Sequence, residues 1–290
     1  MVESVQGEGG VHPATMEFMQ GLRKFCDEND MLLLIDEVQT GWCRTGAVMS
    51  YMNYGIKPDI VSMAKALGGG MPIGAICATA EVAKAFTAGS HGTTFGGHPV
   101  SCAAALAEVN ELLDRDLAGN AKKVGDYFAA KLEKLPHVKE VRHQGLLVGV
   151  EFDDTIGGVD VKHGCLDRHL LITAIGAHII RMIPPLIVTE EECDKAVAII
   201  EDTIKSLEKI KIRQRSDTVR TRASRIIFVR PFMISESDKN LSVRGKSMKH
   251  LVIRLAANME PRAMPSVRRL HRIWGLSFMI VILWMRLSKR

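Results

Sequence analysis

The run Met31-Leu32-Leu33-Leu34-Ile35, closed by Asp36-Glu37, constrains the fold more than any other stretch of the chain. A continuous apolar run this short, ending in charge, reads as a strand buried on both faces of a parallel sheet. In the segment before it, 14–30, the apolar residues Met16, Phe18, Met19, Leu22, Phe25 and Cys26 recur at helical spacing, so helix precedes strand. The pattern repeats: 59–63 and 73–78 read as further strands, 81–86 and 99–113 as helices. Such alternation predicts an α/β fold, a doubly wound sheet that binds ligands at the carboxyl ends of its strands.

Beyond Asp114 the texture becomes that of a small α+β unit. A long amphipathic helix (118–135) precedes strands at 146–152, 170–175 and 178–183 and a closing helix at 190–207. Thr189 ahead of Glu190-Glu191-Glu192 supplies that last helix with an N-cap and an acidic first turn. The expected organisation is part of a large, mainly parallel-sheet domain at 1–115, a small C-terminal α+β domain at 116–207, and a basic tail at 208–290.

Charge marks the second boundary. Residues 1–207 carry 18 Lys and Arg against 28 Asp and Glu, a net −10; residues 208–290 carry 20 against 5, a net +15. The tail holds Pro231, Pro261 and Pro265 and shows no sustained period before 274–285, so it is expected to be poorly ordered and foreign to the fold. The apolar run at 274–285 falls short of the roughly 20 residues a spanning helix requires; it reads as an interfacial or sticky segment, and no transmembrane span is expected. Neither aromatic interleaving nor helix-turn-helix periodicity accompanies the basic charge, so no specific nucleic-acid partner is expected. The six cysteines lack C-x-x-C pairs and zinc-ligand spacing, and His12, His98 and His143 offer no ligand pattern, so no metal site and a reducing, cytoplasmic setting are expected. The residues after Met1 lack the basic and apolar regions of a secretory signal.

Asp36 at the mouth of a buried strand admits three readings. It can bond loop amides, a purely structural role. It can be the magnesium-holding acid of a P-loop ATPase, but no G-x-x-x-x-G-K-[ST] loop occurs in the chain. The third reading needs a lysine near the same point, and Ser62-Met63-Ala64-Lys65-Ala66-Leu67-Gly68-Gly69-Gly70 supplies one directly after an apolar strand. Set among Ala, Leu and glycines, Lys65 is expected in a water-poor environment that favours a neutral, nucleophilic amine. The alternative is a lysine that snorkels from a strand end above a glycine turn.

Six ordered stretches together resemble one family. They are Val2-Glu3-Ser4-Val5-Gln6-Gly7-Glu8-Gly9-Gly10, Ile35-Asp36-Glu37-Val38-Gln39-Thr40-Gly41, Arg44-Thr45-Gly46, Lys65-Ala66-Leu67-Gly68-Gly69-Gly70, His91-Gly92-Thr93-Thr94-Phe95-Gly96-Gly97-His98-Pro99 and Ile180-Arg181-Met182-Ile183-Pro184-Pro185-Leu186. In order and spacing they are similar to the class III pyridoxal-phosphate-dependent aminotransferases, with the texture of the acetylornithine and ornithine-type members, over about residues 2–207.

The resemblance implies a fold-type I transferase and a role for each matching residue. Lys65 is similar to the lysine that carries pyridoxal 5′-phosphate and moves the substrate proton. Asp36 matches the carboxylate that pairs with the pyridine nitrogen, and Gln39 the amide that bonds the phenolic oxygen. Thr94, with Thr93 beside it, matches the hydroxyl that reaches the cofactor phosphate of a partner subunit, which implies a homodimer with shared sites. Arg181 and Glu8 match a switch pair: the arginine takes the substrate α-carboxylate through its fork, and the glutamate masks it while a distal amine reacts. An edge-strand salt bridge is the structural alternative for Arg181. The implied reaction moves an amino group between N-acetylornithine, or a related ω-amine, and 2-oxoglutarate, a step of arginine biosynthesis; a non-catalytic dimerisation or binding module is the alternative. Ser4 stands where the family usually has proline. The family's phosphate-binding loop, ring-stacking aromatic and first sheet strands are expected upstream of these motifs, so the residues present are expected to leave exposed edges, an uncovered face and weak activity.

Overall fold

The chain opens with a short hairpin, β1 (Val5–Gln6) and β2 (His12–Pro13), followed by helix α1 (Met16–Glu28) and strand β3 (Leu34–Asp36). The computed structural model describes residues 1–223, with side chains through 211, and the strand at 278–281. Thr15 starts α1 by accepting the Phe18 N–H at 3.1 Å on its Oγ1. Met19 and Cys26 turn inward, while Met16, Phe18 and Phe25 stay exposed on the outer face, joined by Met31 and Leu32.

Strand β4 (Ile60–Met63) lies parallel to β3, with Asp36 opposite Ser62. Strand β5 (Ala75–Ala78) then runs antiparallel to β4, a departure from the parallel, doubly wound expectation at this point. The cause is the connection. Only residues 64–74 join the two strands, and they hold a 3-10 turn (Lys65–Gly68) and a glycine run in place of a helix. A parallel crossover needs a dozen or more residues, usually with a helix, so the chain doubles back. On the other side of β3, Val2 adds a parallel bridge, donating to the Leu34 carbonyl at 3.0 Å and accepting from Asp36 N–H at 2.9 Å.

The second unit follows helices α2 (Ala80–Ala83), α3 (Pro99–Asp114) and α4 (Leu117–Leu132). It comprises β6 (Val138–Gln144), β7 (Leu147–Phe152), α5 (Gly158–Leu166), β8 (Thr173–Ile175), β9 (Ile179–Met182) and α6 (Glu190–Ala223), its sheet ordered β6-β7-β9-β8 with every pairing antiparallel. Thr189 and Glu192 form a capping box: Glu192 N–H donates to Thr189 Oγ1 at 3.3 Å and Thr189 N–H to Glu192 Oε2 at 2.9 Å. Sequence periodicity did not reveal β6, whose Val138, Lys139, Glu140, Val141 and Arg142 alternate poorly, or α5, which starts at paired glycines.

One contiguous apolar core runs from Met19 and Ile35 under the first sheet to Val148, Val150, Ile200 and Ile204 under the second. Burial of each such side chain contributes about 1.5–3 kcal/mol. Arg44 fastens the two units: its Nη1 donates to the carbonyls of Leu146 (3.2 Å) and Pro184 (2.6 Å), and its own carbonyl accepts Leu146 N–H at 2.9 Å. Desolvation there brings the guanidinium down to about 10.

The closing helix runs beyond Leu207 into the basic tail. Glu208 accepts from His137 at 2.6 Å, and Lys211 bonds the Thr155 carbonyl. Within the run expected to be interfacial or sticky, strand β10 (Phe278–Val281) pairs antiparallel with β5, Phe278 opposite Ala78 and Val281 opposite Ala75. The edge of β5 presents unpaired backbone donors and acceptors, and an extended apolar segment satisfies them. The rest of the tail, for which poor order is expected, lies outside the described residues. Among the described residues no helix is long and apolar enough to cross a membrane, no cluster of His, Cys, Asp and Glu could hold a metal ion, and the six cysteines are free.

Candidate active site

The parallel register of β3 and β4 brings the chemistry of the first unit to one rim. Asp36 ends β3, and Lys65 begins the turn that follows β4, three residues after Asp36's partner Ser62. Lys65 has φ +51, a left-handed conformation that costs an L-residue roughly 1–2 kcal/mol. Gly69 and Gly70 continue the turn at φ +53 and +100, where glycine alone fits readily. Contrary to the water-poor setting expected for it, Lys65 is exposed. The physical reason is local: β4 ends before it, and Ala66, Gly69 and Gly70 around it have no bulk to cover a long side chain.

Asp36 is half-buried, and its Oδ1 accepts the Val38 N–H at 3.0 Å, the loop-amide bond that the structural reading allowed. Its neighbour Glu37 points the other way, as strand alternation requires, into the interior. There it is fully buried, accepting from Thr40 Oγ1 (2.5 Å), Ser50 Oγ (2.7 Å) and Tyr51 N–H (3.0 Å). Burial pushes the Glu37 carboxyl above its ordinary range. Ser50 Oγ also contacts Ser4 Oγ, so this hub ties the first residues of the chain to the loop after β3.

Arg181 lies on β9, its side chain 9% exposed, and reaches across to the hairpin between β1 and β2. Its Nη1 donates to the Gly7 carbonyl at 2.9 Å, to Glu8 Oε1 at 3.0 Å and to Gln39 Oε1 at 3.4 Å. Gln39 Nε2 in turn donates to Glu8 Oε1 at 3.1 Å. Three of the residues singled out in the sequence therefore meet in one cluster. The hydrogen bond from Arg181 holds the Glu8 carboxyl below the usual carboxylate range, with Gln39 and the field of Lys65 acting the same way. Glu3, which the sequence did not single out, faces the fields of both Asp36 and Lys65, and burial raises its carboxyl. Glu3, Glu8, Asp36 and Lys65 therefore share one electrostatic neighbourhood. Thr93 and Thr94 stand apart from that cluster, in the loop before α3, with Thr94 exposed and Thr93 Oγ1 accepting the Phe95 N–H at 3.2 Å.

A carboxylate at the end of β3 and an amine just past the end of β4 are the groups that suit a heterocycle with a basic ring nitrogen and an aldehyde. Two buried polar atoms here, Ser62 Oγ and Arg181 Nε, have no hydrogen-bond partner among the described residues. A ligand with acceptors at this rim would satisfy them.

The family model for aminotransferase class III matches residues 1–204. The chain belongs to the class III aminotransferases. The acetylornithine aminotransferase of Caldanaerobacter subterraneus subsp. tengcongensis is 46% identical over 212 residues, covering 71% of this chain and 53% of that protein. That of Aquifex aeolicus is 42% identical over 204 residues, 70% and 53% of the two chains. Among solved structures, the ornithine aminotransferase of Toxoplasma gondii, described with partial occupancy of PLP at its active site, superposes with a TM-score of 0.68 at 36% identity, over 72% of this chain and 50% of that one. The acetylornithine aminotransferase of Elizabethkingia anophelis gives 0.67 at 35%, over 71% and 56%. This class III chain thus spans about half the length of the curated relatives it matches, and its described architecture is that of the fold-type I enzymes among its structural neighbours. The match ends at residue 204, so the basic tail lies beyond it.

Proposed function

We propose that this chain carries the catalytic lysine and the carboxylate-binding half of an aminotransferase that moves an amino group between N-acetylornithine, or a related ω-amine, and 2-oxoglutarate. The observation that carries the reading is the cluster of Arg181, Glu8 and Gln39 beside Asp36 and Lys65. Pyridoxal 5′-phosphate, when bound, supplies an electron sink that no protein side chain offers. Asp36 would hold its ring nitrogen, with the Val38 N–H bond to Oδ1 orienting the carboxylate. Lys65 would hold its aldehyde carbon, and once the substrate amine has displaced it there, the freed Lys65 Nζ would take and return the proton at the amine-bearing carbon of the substrate. Thr94, assisted by Thr93, reaches the cofactor phosphate of a second copy in a homodimer. Gln39 would bond the phenolic oxygen through the Nε2 that now donates to Glu8.

Arg181 gives two outcomes from one guanidinium. Paired with Glu8 the guanidinium is neutralised, so a substrate entering by its distal amine meets no net positive charge there. With Glu8 swung away, the Arg181 guanidinium loses its carboxylate partner and becomes a seat for the α-carboxylate of glutamate or 2-oxoglutarate. The setting proposed is cytoplasmic, on the strength of six free cysteines, and the pathway arginine biosynthesis, on the strength of the relatives' names. The test is a half-reaction: load the full chain with pyridoxal phosphate, add N-acetylornithine, and follow the cofactor absorbance. Loss of the visible band, restored by 2-oxoglutarate, supports the reading; a spectrum indifferent to both substrates removes it.

A second reading, a non-catalytic family member that acts through dimerisation, is favoured by one observation, the exposed face of Met16, Phe18 and Phe25 on α1. It requires a stable dimer that binds neither cofactor nor substrate.

A further inference from the structure

Arg142, on β6, is not among the residues to which the family resemblance gives a role, yet it is 8% exposed and stands level with Arg181 in the second sheet. In the register of that sheet Arg142 lies opposite Gly149 of β7, and Gly149 lies opposite Arg181 of β9. Cross-strand partners project to the same face, so two arginines flank a position that has no side chain. The hairpin bearing Glu8 is laid over this gap. Gly149 is the floor: a Cβ there would come within 2.9 Å of the Gly10 carbonyl oxygen and of Val11 Cβ. The arginines are the walls. Arg181 Nη1 takes the Gly7 carbonyl at 2.9 Å, and Arg142 Nε takes the Gly10 carbonyl at 3.2 Å. Glu140 and Glu151, the latter at 2.7 Å, hold the Arg142 guanidinium from behind and neutralise it, so it is not a seat for a substrate anion.

The segment so held is under strain. Gly10 has φ +114, and the fully buried Val11 has φ +60, a conformation that is an outlier for a β-branched residue. Such strain persists only where surrounding contacts over-determine it. We propose that Arg142 is a positioning residue: by gripping the Gly10 carbonyl it keeps the hairpin seated on Gly149, and so keeps Glu8 within reach of Arg181. Release of that grip frees Glu8 and opens the Arg181 fork.

The proposal rests for its ligand readout on Arg181 as a carboxylate seat, so two measurements are needed. The first is amide hydrogen exchange of the 6–12 segment in the full chain, for the native sequence, Arg142→Lys and Gly149→Ala. Arg142→Lys keeps the charge opposite Glu140 and Glu151 but loses the fork; exchange in the segment should rise about 10-fold or more while β6 and β7 stay protected. Gly149→Ala should act in the same direction from the floor. The second is binding of glutarate, used as the probe. Arg142→Lys should shift affinity towards that of Glu8→Gln, and the double variant should bind no tighter than Glu8→Gln alone. Unchanged exchange at 6–12 in Arg142→Lys overturns the proposal, whatever glutarate does. Raised exchange with no glutarate binding even in Glu8→Gln supports the clamp and removes the carboxylate reading of Arg181 instead.

Discussion

Glu8 and Arg181 are 173 residues apart in sequence and 3.0 Å apart in space, joined between a hairpin of the first unit and a strand of the second. The pairing crosses the seam between the units, so its state is coupled to how the hairpin sits.

The carboxyl of Glu8 reports on that pairing directly. Its ionisation is depressed chiefly by the hydrogen bond from Arg181, so the contact is complete above the ordinary Glu range and is lost as pH falls through the depressed value. Titration of the side-chain carboxyl by carbon NMR should give a midpoint below that of an unperturbed Glu, returning upward in Arg181→Met. A midpoint unmoved by that substitution would mean the pair does not form in solution.

Glu37 should matter to stability more than to ligand binding. Its raised ionisation means the folded chain prefers the neutral carboxyl; by linkage its stabilising contribution is full below the unfolded value and fades as pH rises through the folded one. Glu37→Gln keeps an acceptor for Ser50 and Tyr51 N–H, and Thr40 can turn its hydroxyl towards the Asp36 carbonyl at 3.4 Å. Urea denaturation near neutral pH should show that variant within about 1 kcal/mol of the native sequence, and Glu37→Ala, which strands several buried donors, about 3 kcal/mol less stable.

Gly125 in α4 sets how closely the helix meets the β6–β7 turn. A Cβ there would lie 2.1 Å from the backbone oxygen of Gly145, which itself holds φ +56 against the Arg44–Gly46 backbone. Gly125→Ala should therefore cost more than about 3 kcal/mol by thermal or urea unfolding. The matched control is Gly21→Ala in α1, where nothing lies within 4 Å; it should stabilise by about 0.5–1 kcal/mol.

Much of the fold was legible because its signals are local. The apolar run before Asp36 marks β3, Thr189 with Glu192 marks the start of α6, and glycines after Lys65 mark the turn. Long-range consequences were not: nothing in a sequence near Ile73 says that β5 runs backward, since direction follows from the shortness of 64–74. Within the site, Lys65, Asp36, Glu8, Gln39 and Arg181 stood out through ordered motifs, and geometry gathers the last three. Glu3 and Glu37 lay inside the ordered motifs without a role attached to them, and Arg142 lay outside them. Glu37 sits beside Asp36, and only the alternation of a strand sends one to the rim and the other to the core.

The strand β10 makes a prediction for the tail. Ending the chain after Ala223 keeps the contacts of Glu208 and Lys211 but removes the strand that covers β5. Sedimentation should show more self-association in the shortened chain, because an uncovered edge pairs with other chains, while cofactor binding is unchanged. Equal association states would argue that β10 does not protect that edge.

The most direct test of the central claim, that Asp36 and Lys65 form the two ends of a cofactor seat, is cofactor attachment to the full chain. Incubation with pyridoxal phosphate, reduction with borohydride and peptide mass analysis should place the added mass on Lys65, with Asp36→Ala weakening the attachment and Lys65→Ala abolishing it. Labelling spread over surface lysines, unchanged in both variants, would contradict the account.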